Sequence, residues 1–244
     1  MGSRTYHDTG IVLRTHKLGE ADKILVLLTA EHGKVRSVAK GVRKTMSRFG
    51  GRLEPLAHVS LLMREGRSLD VVDQAETIDH FRPLREDLGR LAQAMALVEA
   101  VDQIAPERDV NVRRYQMLLG ALRTLAARPA VLLVPAFFLK LLAAEGMRPE
   151  LDSCVSCGSP EPLVAYDVDA GGALCRACRR GVPLSGDALD LARRILGGDL
   201  VNVLDTPVSA VTHEIEVLAT RAMEHHLERR LRTVALLDHA EHIR

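Results

Sequence analysis

Apolar residues in the first eighty positions come in short runs. Ile11 to Arg14, Lys23 to Thr29 and Val35 to Ala39 are rich in Val, Ile and Leu, and Gly19, His32-Gly33 and Gly41 separate them. Val59 to Arg64 and Leu69 to Gln74 flank Glu65-Gly66-Arg67, a hairpin connection in which glycine supplies the tight turn. Five short strands in this space predict a small closed antiparallel barrel of OB-like form, since closure removes the edges an open sheet exposes.

From Leu84 the period changes from two to that of a helix. Leu84, Leu88, Leu91, Ala92, Met95, Val98 and Ile104 form a predicted stripe, and Asp109 precedes a second run through Leu118, Leu119, Leu122 and Leu125. Pro129 stands where a helix-starting proline belongs, and Gly146 where a glycine ends one. Ser185 is placed to cap a helix from Gly186 to Leu196 that Gly197-Gly198 stops, and a last helix spans Ser209 to Leu231. The pattern predicts an α+β chain: an OB-like domain at residues 1–80, a helical bundle at 81–244, and an inserted module at 150–183.

Charge changes the picture only when it is localised. The 244 residues carry 33 Lys+Arg against 32 Asp+Glu, a formal +1, which excludes a simple polycation. Residues 151–244, however, hold 14 acids and 10 bases, while no acidic side chain occurs between Glu31 and Glu54. Lys34, Arg36, Lys40, Arg43, Lys44, Arg48 and Arg52 all fall in that gap. Hydrophobic content of 47% and charged content of 27% describe a globular chain. The most apolar segment, Ala130 to Leu139, contains Pro135 and stops at Lys140, short of a membrane span. No cationic, then apolar leader opens the chain, so a cytoplasmic location is expected.

The four cysteines form two Cys-x-x-Cys pairs, Cys154/Cys157 and Cys175/Cys178, with seventeen residues between them. That spacing suits a four-cysteine zinc site in which all positions are filled by protein, hence one structural rather than catalytic Zn2+. Gly158 would relieve the turn after the first pair, and Gly171-Gly172 a hairpin before the second. Two independent redox pairs are the competing reading. Arg176, Arg179 and Arg180 would offset the negative charge of a metal tetrathiolate.

The basic stretch has two readings as well. Lys34 and Arg36 alternate on a strand and share a face, and the remaining five cations follow in a loop bracketed by Gly41 and Gly50-Gly51. Functionally this is a phosphate-tracking surface; the bland alternative is a solvated loop. Phe49 is the only aromatic residue in it, so binding would depend on charge, with little sequence preference and strong salt dependence. An acidic protein partner is a rival to nucleic acid.

Enzymatic signatures are missing from the sequence. Neither Gly-x4-Gly-Lys-Ser/Thr nor a strand-following Gly-x-Gly-x-x-Gly occurs. His213, His225, His226, His239 and His242, with Glu224 and Asp238, lack a His-Glu-x-x-His pattern and read as a polar helix face. Glu86-Asp87 reads as an acidic pair at a helix start.

Several motifs resemble the bacterial RecO family of recombination mediators: Gly19-Glu20-Ala21-Asp22-Lys23-Ile24, Glu31-His32-Gly33-Lys34, Val38-Ala39-Lys40-Gly41-Val42-Arg43-Lys44, and Arg48-Phe49-Gly50-Gly51-Arg52-Leu53-Glu54-Pro55. The likeness continues in residues 146–158, from Gly146 to Gly158, and in Gly171-Gly172-Ala173-Leu174-Cys175. The resemblance implies an OB fold, a helical domain with a zinc module, and no enzymatic turnover. It further implies binding to single- and double-stranded DNA, annealing of complementary strands, and action with RecR to load RecA onto strands coated by single-stranded DNA-binding protein. The same resemblance implies a contact between the helical domain and the C-terminal tail of that coating protein, for which no local motif marks a pocket. Some family members lack the cysteines, which fits a structural metal. The cations from Lys34 to Arg52 fall on family motifs, without a division between those that meet DNA and those that meet RecR.

Overall fold

Hydrogen bonding between distant strands turns the short apolar runs into a closed surface. The computed structural model describes residues 4–47, 49–160 and 162–233. It contains β1 (Thr5–Leu18), β2 (Asp22–Thr29), β3 (Gly33–Ala39), β4 (His58–Arg64) and β5 (Asp70–Asp79) in a barrel of order β1-β2-β3-β5-β4, with β4 returning to β1. A short parallel pairing, Ser37↔Asp70 and Val38↔Val71, joins β3 to β5 and completes the OB-like barrel.

The first strand is much longer than its apolar run. It must pair with two neighbours: Thr5 to Ile11 match β4, and Gly10 to Leu18 match β2. A register shift between Val12 and Arg14 lets the strand bend from one partner to the other. Polar residues at its ends conceal this length from hydropathy. At the β4–β5 turn, a Cβ on Gly66 would lie 1.8 Å from the Leu69 carbonyl oxygen, so only glycine fits.

Val12, Leu25, Leu27, Val35, Val59, Leu61, Met63 and Val72 fill the barrel. Four residues of the β3–β4 connection, Val42, Phe49, Leu53 and Ala57, belong to the same cluster, and Phe49 is only 1% exposed. The connection is therefore a plug as well as a loop. Successive turns hold it, with backbone N–H groups of Lys44, Ser47, Gly50 and Arg52 donating to carbonyls three residues earlier. Asp22 Oδ1 accepts from Gly41 N at 2.7 Å, and Ala21 O from Arg43 N at 2.9 Å, tying its start to β2 and the preceding turn.

By close packing the chain divides into two units, residues 1–126 and 127–244. The first unit also contains α1 (Arg82–Arg85), α2 (Leu88–Ile104) and α3 (Val112–Ala127). Asp87 caps α2 by accepting from Arg90 N, which explains the acidic pair at this position. The predicted apolar stripe coincides with the buried face of α2 only at Val98. Ala94, Leu97, Val98 and Val101 are buried, whereas Leu88 is 80% exposed. With this face inward the helix also places Asp102 against Arg14 and Lys34 of the barrel. Asn111, rather than Asp109, accepts from Arg114 N at the start of α3.

The second unit holds α4 (Leu133–Ala144), β6 (Leu163–Asp167), β7 (Gly172–Cys175), β8 (Val182–Pro183), α5 (Gly186–Gly197), α6 (Leu200–Val203) and α7 (Ala210–His226). The bundle is formed by α4 packing against α5 and α7. Its helix-starting proline is Pro135, in the first turn of α4 where an N–H has no helical partner, and not Pro129. Ser185 and Ser209 cap α5 and α7, accepting from Ala188 N and Thr212 N. Gly198 ends α5 at φ 97°. Helix α7 stops five residues before the expected Leu231, because Glu228 takes a left-handed conformation and Arg229 N turns back to Glu224 O. The inserted module is a small sheet, β7-β6-β8, which was not legible from the brevity of its strands.

Phe49→Ala should destabilise the first unit by about 3 to 5 kcal/mol, the usual cost of emptying a buried aromatic site. Chemical denaturation monitored on a chain comprising both units checks this; a loss below about 1 kcal/mol would mean that the ring does not support the barrel.

Candidate metal centre and nucleic-acid interface

The four cysteine sulfurs meet at one end of the β6–β7 hairpin. Cys154 and Cys157 sit in a turn in which Gly158 N donates to Cys154 O at 2.8 Å, with Gly158 at φ 76° as the spacing required. Val155 N donates to Ala173 O at 3.0 Å and anchors that turn on β7. Gly172 permits the approach, since a Cβ there would lie 2.2 Å from Val155 Cγ1. Cys175 ends β7 and Cys178 closes a single 3-10 turn over Arg176–Cys178.

All four Sγ atoms lie within 4.8 Å of one another, and Cys157 and Cys175 are 3.7 Å apart. Tetrahedral geometry at a metal–sulfur distance of about 2.3 Å places sulfurs about 3.8 Å apart, so the set fits one tetrahedral ion. The arrangement favours thiolates unevenly. Backbone N–H groups, first that of Cys175, bring Cys154 down to about 6. The backbone N–H of Ser159 lowers Cys157, but the neighbouring thiols of Cys154, Cys175 and Cys178 together outweigh it and push Cys157 up to about 12. A thiophilic cation would remove this competition by binding every sulfur as thiolate. Among the described residues, these four cysteines are the one cluster able to hold a metal. His213 and His225 lie instead beside Glu216 and Asp169, while His239, His242 and Asp238 lie outside the described residues.

Arg176 and Arg179 are exposed next to the cysteines, as charge compensation requires. Arg180 is differently employed, pairing with Asp167 at the end of β6. That contact and two backbone N–H groups, from Asp169 and Ala170, hold the Asp167 carboxyl below its ordinary range despite burial.

The cations of the first unit divide into two sets. Lys34 is nearly covered: its Nζ donates to the Asp102 carbonyl at 2.6 Å and lies 3.7 Å from the Asp102 carboxylate. Burial lowers its pKa, with Asp102 and Glu107 opposing that shift. Arg36 lies 3.7 Å from Glu107. The two strand cations thus have the acidic partners that local sequence does not show. Lys40, Arg43, Lys44 and Arg52 are exposed on the connection above Phe49, and one Arg43 nitrogen donates to the Gly19 carbonyl at 2.9 Å. Arg48 lies outside the described residues. Phe49 cannot offer a stacking surface, because its ring is in the barrel core.

The chain matches the families described as "Recombination protein O N terminal" over residues 1–81 and "Recombination protein O C terminal" over residues 85–235. It is 42% identical over 243 residues to the DNA repair protein RecO of Bifidobacterium adolescentis, covering 96% of this chain and 99% of that protein. The chain belongs to the RecO family.

In this RecO-family barrel, sequence reasoning missed the residues that neutralise Lys34 and Arg36. Asp70 is fully buried, and accepts from Tyr6 Oη and at 2.8 Å from Arg108. Burial and Asp70 together raise the Tyr6 pKa. Arg108 N also donates to Lys34 O at 2.9 Å, and Asp109 packs so closely on Gly33 that a Cβ would lie 2.2 Å from its carbonyl oxygen. These contacts seat the α2–α3 connection on β3 and bring Glu107 to Arg36. The signal available beforehand was the motif Glu31-His32-Gly33-Lys34: His32 bonds buried Asp8 at 2.7 Å, and its ring lies 4.2 Å from that of Tyr6.

The metal centre should retain one thiophilic divalent ion per chain after purification without added metal. Retention should fall as pH is lowered, because protons compete for the thiolates, and Cys175→Ser should abolish stoichiometric binding. Elemental analysis across a pH series measures all three; metal-free wild-type protein at neutral pH would contradict the site.

Proposed function

We propose that this protein is a non-enzymatic recombination mediator of DNA repair that binds single- and double-stranded DNA and anneals complementary strands. The single observation that carries this is the placement of Lys40, Arg43, Lys44 and Arg52 on the outer side of a connection whose inner side closes the barrel. Such a surface meets phosphates at fixed positions without ordering a flexible arm. It neutralises backbone charge and leaves base edges free, which favours pairing between two strands that otherwise repel. Arg48 belongs to the same stretch, and Arg36 extends it along β3 in spite of its Glu107 contact. Lys34 contributes by supporting the barrel edge.

The DNA-binding role belongs to the barrel region, residues 1–80. The cations of that region are shared between DNA and RecR, with which the protein helps to load RecA, and the helical domain, residues 81–244, meets the C-terminal tail of single-stranded DNA-binding protein. The four-cysteine module at 150–183 holds one structural Zn2+, whose filled thiolate shell ties the turn at Cys154–Cys157 to the end of β7. No described helix is long and apolar enough to cross a membrane, in keeping with action in the cytoplasm on chromosomal DNA.

Four exposed cations at about −0.9 per phosphate on duplex, and about −0.7 on single strands, give slopes of log affinity against log salt near −3.6 and −2.8. Lys40→Glu, Arg43→Glu and Lys44→Glu together should flatten the slope toward about −1 and suppress annealing, while thermal unfolding stays that of the wild type. A folded triple variant with unchanged DNA affinity at low salt would overturn the proposal.

A further inference from the structure

Among the described residues, the most exposed large apolar side chain lies amid the exposed cations of the barrel connection: Met46 is 94% exposed. The connection sorts its other apolar side chains inward, with Val42 at 8%, Phe49 at 1% and Leu53 at 1% exposure. Met46 is thus a departure from a segment that otherwise buries what it can. Nor is it on a loose tip. Ser47 N donates to Lys44 O at 3.0 Å, which makes Thr45-Met46 the two central residues of a closed turn. The preceding turn, Gly41 to Lys44, is fixed to Asp22 and Ala21, and the following one, Ser47 to Gly50, is held by Phe49 in the core. Arg43 and Lys44 are exposed immediately before it.

We propose that Met46 is a base-contacting wedge: its side chain packs against the face of an unstacked base in a single strand whose phosphates lie on Lys40, Arg43 and Lys44. The inference rests on the DNA-binding role proposed above and deepens it. Charge alone brings a strand to this loop but does not hold its bases apart. An apolar tip projecting from a cationic surface does so, because the phosphates fix the backbone on either side while the base face exchanges water for a polarizable thioether. A methionine has the reach and flexibility to meet any base, so the contact is indifferent to sequence. The loop presents no exposed aromatic ring, since Phe49 is buried, and Met46 is its exposed large apolar side chain. The consequence for annealing is direct. A base kept out of the single-strand stack is already prepared for its complement, and a lone thioether releases it more readily than a row of aromatic platforms would.

The wedge and the charges separate in a salt titration, since one sets the non-electrostatic affinity and the others set the slope. Single strands carrying one 2-aminopurine, titrated with wild type, Met46→Ala and Met46→Leu over a range of salt, test both. Met46→Ala should bind about two- to tenfold more weakly at every salt concentration, with a parallel slope. It should also lose the fluorescence rise that reports unstacking, and Met46→Leu should restore both. The side chain is outside the core, so folding is unaffected. Wild-type binding that falls with salt while Met46→Ala equals it in affinity and fluorescence would overturn the wedge and leave the charged surface intact. A shallower slope for Met46→Ala would also overturn it, showing that the residue only positions cations. Absence of salt-dependent binding by the wild type would overturn the DNA-binding role itself, and the wedge with it.

Discussion

The barrel has to be closed by its own connecting segment, and that constraint organises the first unit. Strands of seven to fourteen residues enclose a core that Val42, Phe49, Leu53 and Ala57 complete from the β3–β4 connection. A segment that buries these residues lies flat on the barrel, and its intervening positions then face outward. Those positions are Lys40, Arg43, Lys44 and Arg52, together with Met46. The hydrophobic effect thereby does for the cations what a rigid helix does elsewhere: burial of the neighbouring apolar residues fixes where the segment that carries them stands. Preorganisation of this kind reduces the ordering cost when a polyanion arrives.

The buried carboxylates of the same unit have a complementary effect. Asp70, between Tyr6 and Arg108, seats the α2–α3 connection on β3, and Asp102 on α2 meets Arg14 and Lys34. Charges at the barrel edge are consumed in holding helices to strands, and charges on the plugging connection are left outside. Lys34 looks equivalent to Lys40 and Lys44 along the chain, but burial and its pairing with Asp102 make it structural, whereas Arg36 stays exposed beside Glu107. The second unit meets its need for a core in two ways. Helix α4 is buried along most of its length among its neighbours, and the small sheet buries Leu163, Tyr166 and Leu174 and carries four sulfurs within coordination distance of each other.

Legibility from the sequence followed the range of the interaction concerned. The cysteine pairs, the Ser185 and Ser209 caps and Gly158 were readable because each depends on residues within a few positions. The barrel was readable through its period-two runs, although β1 extends far beyond Ile11 to Arg14 because its ends are polar and serve two partners. What escaped was long-range. Asp102 and Glu107 lie about seventy residues from the cations they neutralise, so an acid-free stretch appeared uncompensated when part of it was not. The rotation of α2 escaped as well, because its buried face is made mostly of alanines and valines, with Leu97, while Leu88 is exposed. Phe49 could be recognised as aromatic but not as a plug, since nothing local distinguishes an inward ring from an outward one.

Hydrogen exchange of the full chain, followed with and without a saturating single strand at low salt, measures most directly whether the plugging connection is the surface that meets DNA. Slowed exchange should concentrate in residues 40–53 and the adjoining β2–β3 edge, and should vanish when salt is raised. Protection confined to the second unit, with residues 40–53 exchanging as in the free protein, would contradict it.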